Sequence, residues 1–326
     1  MATTAALAAT SSSILRRSLL YVPASSQKML TKSLTLPTDN ITYDLEDSVT
    51  PSLKQAAREQ LKSHLWSLAS RPQSVSELAV RVNAVSTPFA LDDLTALSSA
   101  PLIDAVVVPK VASAADLTFV SDVLRHAAPG RHADGSANPI KIIALIESAR
   151  AVMDLASICR ASPFLSGLIF AAEDFALDLS ITRTPSLTEF LYARSAVVTA
   201  ARAAGLPSAI DLVCTSYRGQ EGSSRLQDEC ANGKSMGFNG KQCIHPSQVS
   251  TVQAIFSPAE HEVEWAVRVC IANDKAGSLG RGAWTLDGKM VDAPVVGKAQ
   301  AIASKAQQCG FDIDALRRKW KDEEPE

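Results

Sequence analysis

The feature of this sequence that most restricts its fold is a regular alternation of short apolar runs with stretches of helical periodicity. Seven runs rich in β-branched residues, and a weaker eighth, predict strands at Ser18–Val22, Asn40–Leu45, Leu78–Asn83, Asp104–Pro109, Ile140–Ile146, Gly167–Ala171, Ala209–Cys214 and Ser235–Ile244. A helical pattern follows each of them, at Gln27–Leu36, Leu53–Leu68, Leu91–Leu97, Ala114–His126, Arg150–Cys159, Leu187–Ala204, Arg225–Gly233 and Gln248–Phe256. Eight strand–helix units in roughly 240 residues predict an α/β fold, a (β/α)8 TIM barrel with parallel strands and right-handed crossovers.

The same alternation predicts how the chain is divided. Its 326 residues exceed what one barrel needs. We expect a flexible tail or short targeting segment at residues 1–15, a catalytic barrel at residues 16–257, and a helical or lid-like extension at residues 258–326. No GxGxxG or GxxxxGK[ST] turn follows a predicted strand, which argues against a dinucleotide-binding or nucleotide-triphosphate fold.

The amino-acid composition limits the classes of molecule that the protein is expected to bind. Lys and Arg number 32 against 34 Asp and Glu, for a net charge of -2, and only 5% of residues are aromatic. Nothing here favours nucleic acid, and no apolar run approaches the roughly 20 residues that a membrane span needs. The six cysteines form no CxxC pair and are predicted to be reduced thiols. A small-molecule substrate is therefore expected.

The amino terminus has a distinct composition. Residues 1–15 are mostly Ala, Thr and Ser without charge, and Arg16 and Arg17 follow. This composition is similar to that of an organelle transit peptide and predicts a mitochondrial location. The alternative is a disordered tail on a cytoplasmic protein.

Charged side chains follow the apolar runs at the carboxyl ends of five consecutive predicted strands, the second to the sixth. They are Asp44, Glu46, Asp47, Arg81, Lys110, Glu147, Glu173 and Asp174, with polar Asn83 beside Arg81. Active sites of TIM barrels are built at these ends, from the loops that lead into the helices. The pattern therefore predicts an active site at this face.

Two of these carboxylates predict a metal. Glu147 and Asp174 follow adjacent parallel strands, which lie roughly 5 Å apart, so their charges repel unless a cation lies between them. Mg²⁺, with Mn²⁺ as the alternative, suits oxygen ligands, and no histidine lies nearby in the sequence to suggest zinc. Such an ion would chelate a 2-oxo or 2-hydroxy carboxylate and polarise its oxygen.

Arg81 is expected to face the same centre from the third strand. Its guanidinium could stabilise an oxyanion or enolate, and the alternative is a structural salt bridge to Asp44 or Glu46. Both roles are compatible, since neighbouring carboxylates such as Asp44, Glu46 and Asp47 often orient a reacting group. The residues predict metal-assisted enolate chemistry without naming a substrate.

Nine motifs, in order from Arg17 to about Gln300, carry a family resemblance. They are RRSLLYVPASSQK, YDLEDSV, VRVN, VVPK, ALIES, FAAEDFALDL, RTPSLTEFLYARS, MGFNGKQCIHPSQ and GRGAWTLDGKMVDAPVV. With them the chain resembles the citrate lyase β-subunit-like family of the HpcH/HpaI aldolase superfamily. It departs from the family at Ala24, where YVPG is usual, and in the Phe170–Ala172 run, which is usually rich in glycine.

The resemblance implies a Mg²⁺-dependent acyl-CoA lyase. It would cleave malyl-CoA or citramalyl-CoA to acetyl-CoA and glyoxylate or pyruvate by a retro-Claisen reaction through an enolate. Glu147 and Asp174 match the metal ligands, and Glu147 is also expected to contact the substrate. Arg81 matches the substrate- and enolate-binding arginine. Positions associated with the CoA side of the cleft are Arg17, Lys28, Lys110, Ile244, His245 and Pro246.

The resemblance also implies a homo-oligomer, a trimer or hexamer. Asp292 matches a catalytic carboxylate that a neighbouring subunit delivers on its carboxyl-terminal extension. From the residues alone, Asp292 reads as a turn residue, because the stretch from Leu279 to Pro294 is glycine-rich. Two further alternatives remain: the β subunit of a citryl-thioester lyase that acts on a carrier-bound substrate, and a non-catalytic barrel used as a binding or scaffold protein.

Overall fold

The computed structural model describes residues 14–280 and 282–326 of the chain. The predicted tail or targeting segment at residues 1–15 therefore lies outside the described residues, except for its last two. The chain divides into two compact units, residues 1–253 and 254–326. This division falls four residues before the predicted boundary.

The first unit is a closed barrel of eight parallel strands, in which each strand pairs with the next and β8 pairs with β1. The strands are β1 (Ser18–Pro23), β2 (Asn40–Asp44), β3 (Glu77–Arg81), β4 (Ala105–Val108), β5 (Lys141–Ile146), β6 (Leu165–Phe170), β7 (Ser208–Asp211) and β8 (Gly240–Cys243). The predicted TIM-barrel fold is confirmed.

Helices connect the strands. They are α1 (Gln27–Ser33), α2 (Lys54–Trp66), α3 (Ala90–Leu97), α4 (Ala114–Ala127), α5 (Pro129–His132), α6 (Ala149–Met153), α7 (Leu155–Ile158), α8 (Ala172–Leu179), α9 (Leu191–Ala203), α10 (Gly219–Ser235) and α11 (Val249–Phe256). Short 3-10 turns at Pro51–Leu53, Thr188–Phe190 and Pro246–Gln248 precede α2, α9 and α11.

Several elements differ from the sequence prediction. The helix predicted at Arg150–Cys159 is two helices, because Asp154 between them leaves helical geometry. The eighth strand begins at Gly240 rather than Ser235, since α10 continues through Ser235. Helix α8, which carries Glu173 and Asp174, was not predicted.

The barrel interior is apolar along its middle and polar at the amino ends of the strands. Its core includes Leu19, Ala79, Ala105, Val107, Ile143, Leu145, Ile169 and Ile210. At the amino ends, the buried guanidinium of Arg16 pairs with Glu77 at 2.7 Å and bonds to Ser166 and Ser208. Arg17 pairs with Asp39 at 2.8 Å. Both arginines that supported the targeting interpretation therefore belong to the barrel.

The second unit consists of α12 (Glu260–Ser278), a hairpin of β9 (Trp284–Leu286) and β10 (Lys289–Val291), α13 (Ala293–Gln308) and α14 (Ile313–Lys319). Asp287 and Gly288 form the hairpin turn with positive φ angles, as the Asp-Gly pair predicts. Trp284, Leu286 and Val291 pack in a small core with residues of α12 and α13. Across the described residues of both units, no helix has the length and hydropathy that crossing a bilayer requires.

Candidate active site

A cavity of about 430 Å³ opens at the carboxyl ends of the barrel strands. The predicted residues Asp44, Asp47, Arg81, Glu147 and Asp174 all line it. They come together because each ends a strand or begins the loop that follows, and the carboxyl ends of parallel strands meet at one face. The cavity is therefore the candidate active site.

Glu147 and Asp174 lie on neighbouring loops of this face. Glu147 follows β5 and is only 6% exposed, while Asp174 lies half-buried in the first turn of α8. Both also line a second cavity of about 370 Å³, so they share two open volumes. Burial, together with the nearby Asp174 carboxylate, raises the pKa of Glu147 to about 8. The two groups are close enough to repel.

Lys110 holds Glu147 through its backbone. Its φ of 53° lies in the left-handed region, which is uncommon outside glycine, and its amide N–H donates to Glu147 Oε1. Its ammonium group pairs with Glu46. Lys110 was expected on the CoA side, whereas the structure gives it contacts with two carboxylates of the candidate site.

Arg81 is fixed by three carboxylates. Its guanidinium makes a two-armed contact with Asp44, both bonds at 2.7 Å, and reaches Glu46 at 3.0 Å and Asp47 at 3.3 Å. Burial raises the pKa of Asp44, but the hydrogen bonds and positive charge of Arg81, together with hydrogen bonds from Ser48 and the Glu46 backbone, outweigh it and hold that pKa below its usual value. Arg81 thus forms the expected salt bridge and also lines the cavity.

Two residues of the site were not predicted. The ring of Tyr21 lies beneath Arg81, whose Cζ is 4.6 Å from the ring centroid. The Tyr21 hydroxyl donates to Gln242 Oε1 at 2.9 Å, and the Gln242 amide donates to the Phe170 and Asp211 carbonyls. Strand alternation could have found Tyr21, because it shares the inward face of β1 with Leu19.

A third cavity, of about 400 Å³, adjoins the first and shares Tyr21, Pro23 and Ile244 with it. Lys28, Ile244, His245 and Pro246, four of the residues expected on the CoA side, line this groove together. Exposed Lys32 also lines it. The His245 ring stacks on Tyr217 with centroids 4.9 Å apart, so His245 is placed by packing at the groove rim.

Arg17 does not join this group. It precedes β1 and pairs with Asp39 just before β2, at the amino ends of the strands and so at the opposite end of the barrel from Glu147. The CoA contact expected of Arg17 does not fit this position. The expectation was based on the motif alone. Arg17 directly precedes β1, and only the opposite end of β1 borders the site.

Asp292 lies in the second unit, where it caps α13. Its carboxylate accepts from the Val295 amide at 3.2 Å, which makes it the N-cap of that helix. Capping accounts for an aspartate at this position without any catalytic role. The catalytic role implied by the motif therefore remains a prediction.

The donors of the cavity fit a hard divalent cation. Glu147 and Asp174 offer carboxylate oxygens, and within residues 14–280 and 282–326 neither forms an ion pair with a basic side chain. A buried carboxylate with a raised pKa beside a second carboxylate is the electrostatic situation that a cation relieves. Two carboxylates with open space around them suit Mg²⁺, which keeps several coordination positions for water or substrate.

Comparison with known proteins identifies the family. A profile described as HpcH/HpaI aldolase/citrate lyase matches residues 17–246. The chain belongs to the HpcH/HpaI aldolase/citrate lyase family. The family resemblance predicted from the motifs is thus confirmed.

Individual members of the HpcH/HpaI family match over most of the chain. Citramalyl-CoA lyase, mitochondrial, of Homo sapiens is 34% identical over 89% of this chain and 85% of that protein. Citrate lyase subunit beta of Haemophilus influenzae is 36% identical over 90% of this chain and 97% of that protein. Protein CitE of Mycobacterium tuberculosis, solved with magnesium, acetoacetate and coenzyme A, is 29% identical with a TM-score of 0.69, covering 90% of this chain and 98% of that one.

Proposed function

We propose that this protein is a Mg²⁺-dependent carbon–carbon lyase that cleaves citramalyl-CoA or malyl-CoA to acetyl-CoA and pyruvate or glyoxylate. The observation that carries the proposal is the meeting of Glu147, Asp174 and Arg81 around one cavity at the carboxyl face of the barrel. The family membership and the named activities of the relatives support it.

The chain's own residues divide the work. Glu147 and Asp174 would hold the cation, which when bound supplies a Lewis acid that polarises the substrate's keto or hydroxyl oxygen. Arg81, fixed by Asp44, would donate to the thioester oxygen as negative charge develops on it. Because Arg81 is held before substrate arrives, little reorganisation is needed when that charge forms.

The bond changes follow from these positions. In cleavage, the bond between the hydroxyl-bearing carbon and the methylene beside the thioester breaks, and its electron pair passes to the thioester as an enolate. The hydroxyl passes its proton to solvent water as the new keto group forms, and solvent water in turn resupplies the proton that Asp292 gives up in the next step. Asp292, acting from a neighbouring subunit, would return a proton to the enolate carbon and yield acetyl-CoA.

The groove beside the site suits the nucleotide part of CoA. Lys28 and Lys32 are exposed along it, and phosphate groups need such cationic partners. Free CoA thioesters are therefore favoured over a carrier-bound pantetheine arm, which lacks the nucleotide. Similarity to citrate lyase subunit beta is the observation that keeps the carrier-dependent alternative open.

A product assay tests the proposal. Purified protein is incubated with (3S)-citramalyl-CoA, malyl-CoA or citryl-CoA in Mg²⁺, with and without EDTA. We expect acetyl-CoA and an oxo acid from one of the first two, lost with EDTA and restored by excess Mg²⁺. Turnover only with carrier-bound citryl thioester would establish the alternative, and turnover with none of them would leave a non-catalytic barrel.

We also propose a homo-oligomer, a trimer or hexamer, and a mitochondrial location. The first follows from the role proposed for Asp292, which would reach the barrel of another copy. The mammalian citramalyl-CoA lyases that match this chain are named as mitochondrial, which supports the second. Size measurement in solution and imaging of a tagged full-length protein test these two points separately.

A further inference from the structure

The motif AAEDF places two carboxylates side by side where only one is assigned to the metal. Glu173 and Asp174 are consecutive residues in the first turn of α8, and both line the cavity of the candidate active site. Glutamate has the longer side chain and the same hard oxygen donors. The surroundings of these residues must therefore determine which of the two carboxylates can bind a cation.

Arg183 makes that distinction. One of its amino groups, Nη1, pairs with Glu173 Oε1. Asp174 has no such partner: within the described ranges 14–280 and 282–326 no side chain hydrogen-bonds to its carboxylate. The Glu173 carboxylate is thus engaged by Arg183, whereas the Asp174 carboxylate is available to a cation.

Arg183 is itself held in place by further hydrogen bonds. Its other amino group, Nη2, donates to Glu229 Oε1 at 2.8 Å and to the Val213 carbonyl at 3.0 Å. Glu229, on α10, is buried and pairs at 3.0 Å with Lys241 of β8, whose side chain is fully buried. Positive and negative charges thus alternate from Lys241 at the barrel wall, through Glu229 and Arg183, to Glu173 at the cavity rim. These contacts hold the Arg183 guanidinium in place.

Local backbone geometry brings Arg183 back to the start of α8. The helix ends at Leu179, and its C-cap Ser180 has a φ of 56° in the left-handed region and reverses the chain. Arg183 follows three residues later and is only 14% exposed. It is the first residue of the motif RTPSLTEFLYARS.

We propose that Arg183 is a positioning residue that keeps the Glu173 carboxylate off the metal and so leaves a coordination position for the oxo-acid substrate. This inference rests on the proposed function. Mg²⁺ in such sites is held by one or two carboxylates, with water and substrate filling the rest. A third protein carboxylate would occupy a position that the substrate needs. Loss of Arg183 therefore harms substrate chelation rather than metal binding.

The test follows Mn²⁺ on purified full-length protein. Electron paramagnetic resonance gives the Mn²⁺ affinity, and water proton relaxation reports the exchangeable water on the bound ion. In Arg183→Met we expect Mn²⁺ to bind at least as tightly as in wild type, with a smaller relaxation enhancement. Pyruvate or glyoxylate should bind to the Mn²⁺ complex about 10-fold more weakly, the scale typical of residues that orient metal ligands.

A second variant separates positioning from a structural role. Glu173→Gln in the Arg183→Met background removes the competing carboxylate, so relaxation enhancement and oxo-acid affinity should return close to wild type. Folding is expected to survive, since Glu229 keeps Lys241 as its partner. Arg71→Met is the matched control, because it breaks an ion pair with Asp104 at the amino ends of the strands.

Two results would overturn the inference. One is an Arg183→Met protein whose bound Mn²⁺ keeps its water and its oxo-acid affinity. The other is a double variant no better than Arg183→Met, which would mean that Arg183 only supports the fold. Absence of Mn²⁺ binding in wild type would instead defeat the proposed function itself.

Discussion

The side chains of the site are set by charge balance as much as by packing. Arg81 offsets Asp44, Lys110 offsets Glu46, and Arg183 offsets Glu173. Glu147 and Asp174 form no ion pair with a basic side chain among the described residues, and burial together with the neighbouring Asp174 carboxylate raises the pKa of Glu147. Arg183 was the hardest residue to predict, because it acts on another side chain and no sequence pattern records such a pairing.

Arg81 and Asp44 provide a test at this scale. Arg81→Met removes the partner of a carboxylate that is 1% exposed, which should lower the free energy of unfolding by about 3–5 kcal/mol. Adding Asp44→Asn should recover most of that stability, because the amide still accepts from the Glu46 backbone. Both variants should lack lyase activity. Urea unfolding measures the stability of each variant, and product formation measures its activity. Activity in the double variant would contradict the role of Arg81 in stabilising the enolate.

The elements were largely predictable because alternation of strand and helix patterns leaves few topologies open. All eight strands overlap the apolar runs that predicted them, and charged residues lie at their carboxyl ends. Helix α8 was missed because it has only eight residues and a single residue, Ala171, separates it from β6. The position of Arg17 was misjudged because the end of a strand on which a residue lies depends on its boundary, the least predictable feature.

Close approach of β1 and β8 gives a prediction at the element scale. A Cβ atom on Gly240 would lie 2.0 Å from the Arg16 carbonyl oxygen, so the backbone must shift. Gly240→Ala should destabilise the barrel by at least about 1–3 kcal/mol, as overpacking does, with little change in turnover per folded molecule. Gly130→Ala in α5 is the control, since nothing lies within 4 Å of its added Cβ. Equal melting temperatures for the two variants would contradict this packing.

Helix capping separates the two roles of Asp292. Asp292→Asn keeps an acceptor for the Val295 amide, so unfolding should change little, while turnover should fall by roughly 10²–10⁴ if the carboxylate transfers the proton. Asp312 caps α14 in the same unit through the Ala315 amide at 2.8 Å. Asp312→Ala should cost about 1 kcal/mol of stability without loss of turnover. Full activity in Asp292→Asn would show that its role is capping alone.

For the molecule as a whole, the central question is whether one copy completes the site of another. Asp292→Asn and Glu147→Gln chains carrying different tags are co-expressed and hybrid oligomers isolated by both tags. If Asp292 acts on a neighbour's barrel, some sites in the hybrids are intact and activity reappears, although each variant alone is inactive. Hybrids that form but remain inactive would place both residues in the same chain's site or deny Asp292 its role.

The claim on which the account depends most is that Glu147 and Asp174 hold one hard cation at the carboxyl face of the barrel. The most direct measurement is anomalous diffraction from crystals grown with Mn²⁺, using Glu147→Gln as the control. We predict one strong peak at roughly 2 Å from a carboxylate oxygen of each residue, with Glu173 turned away toward Arg183, and a weakened or absent peak in the control. A peak elsewhere, or none beside these two carboxylates, would contradict the account.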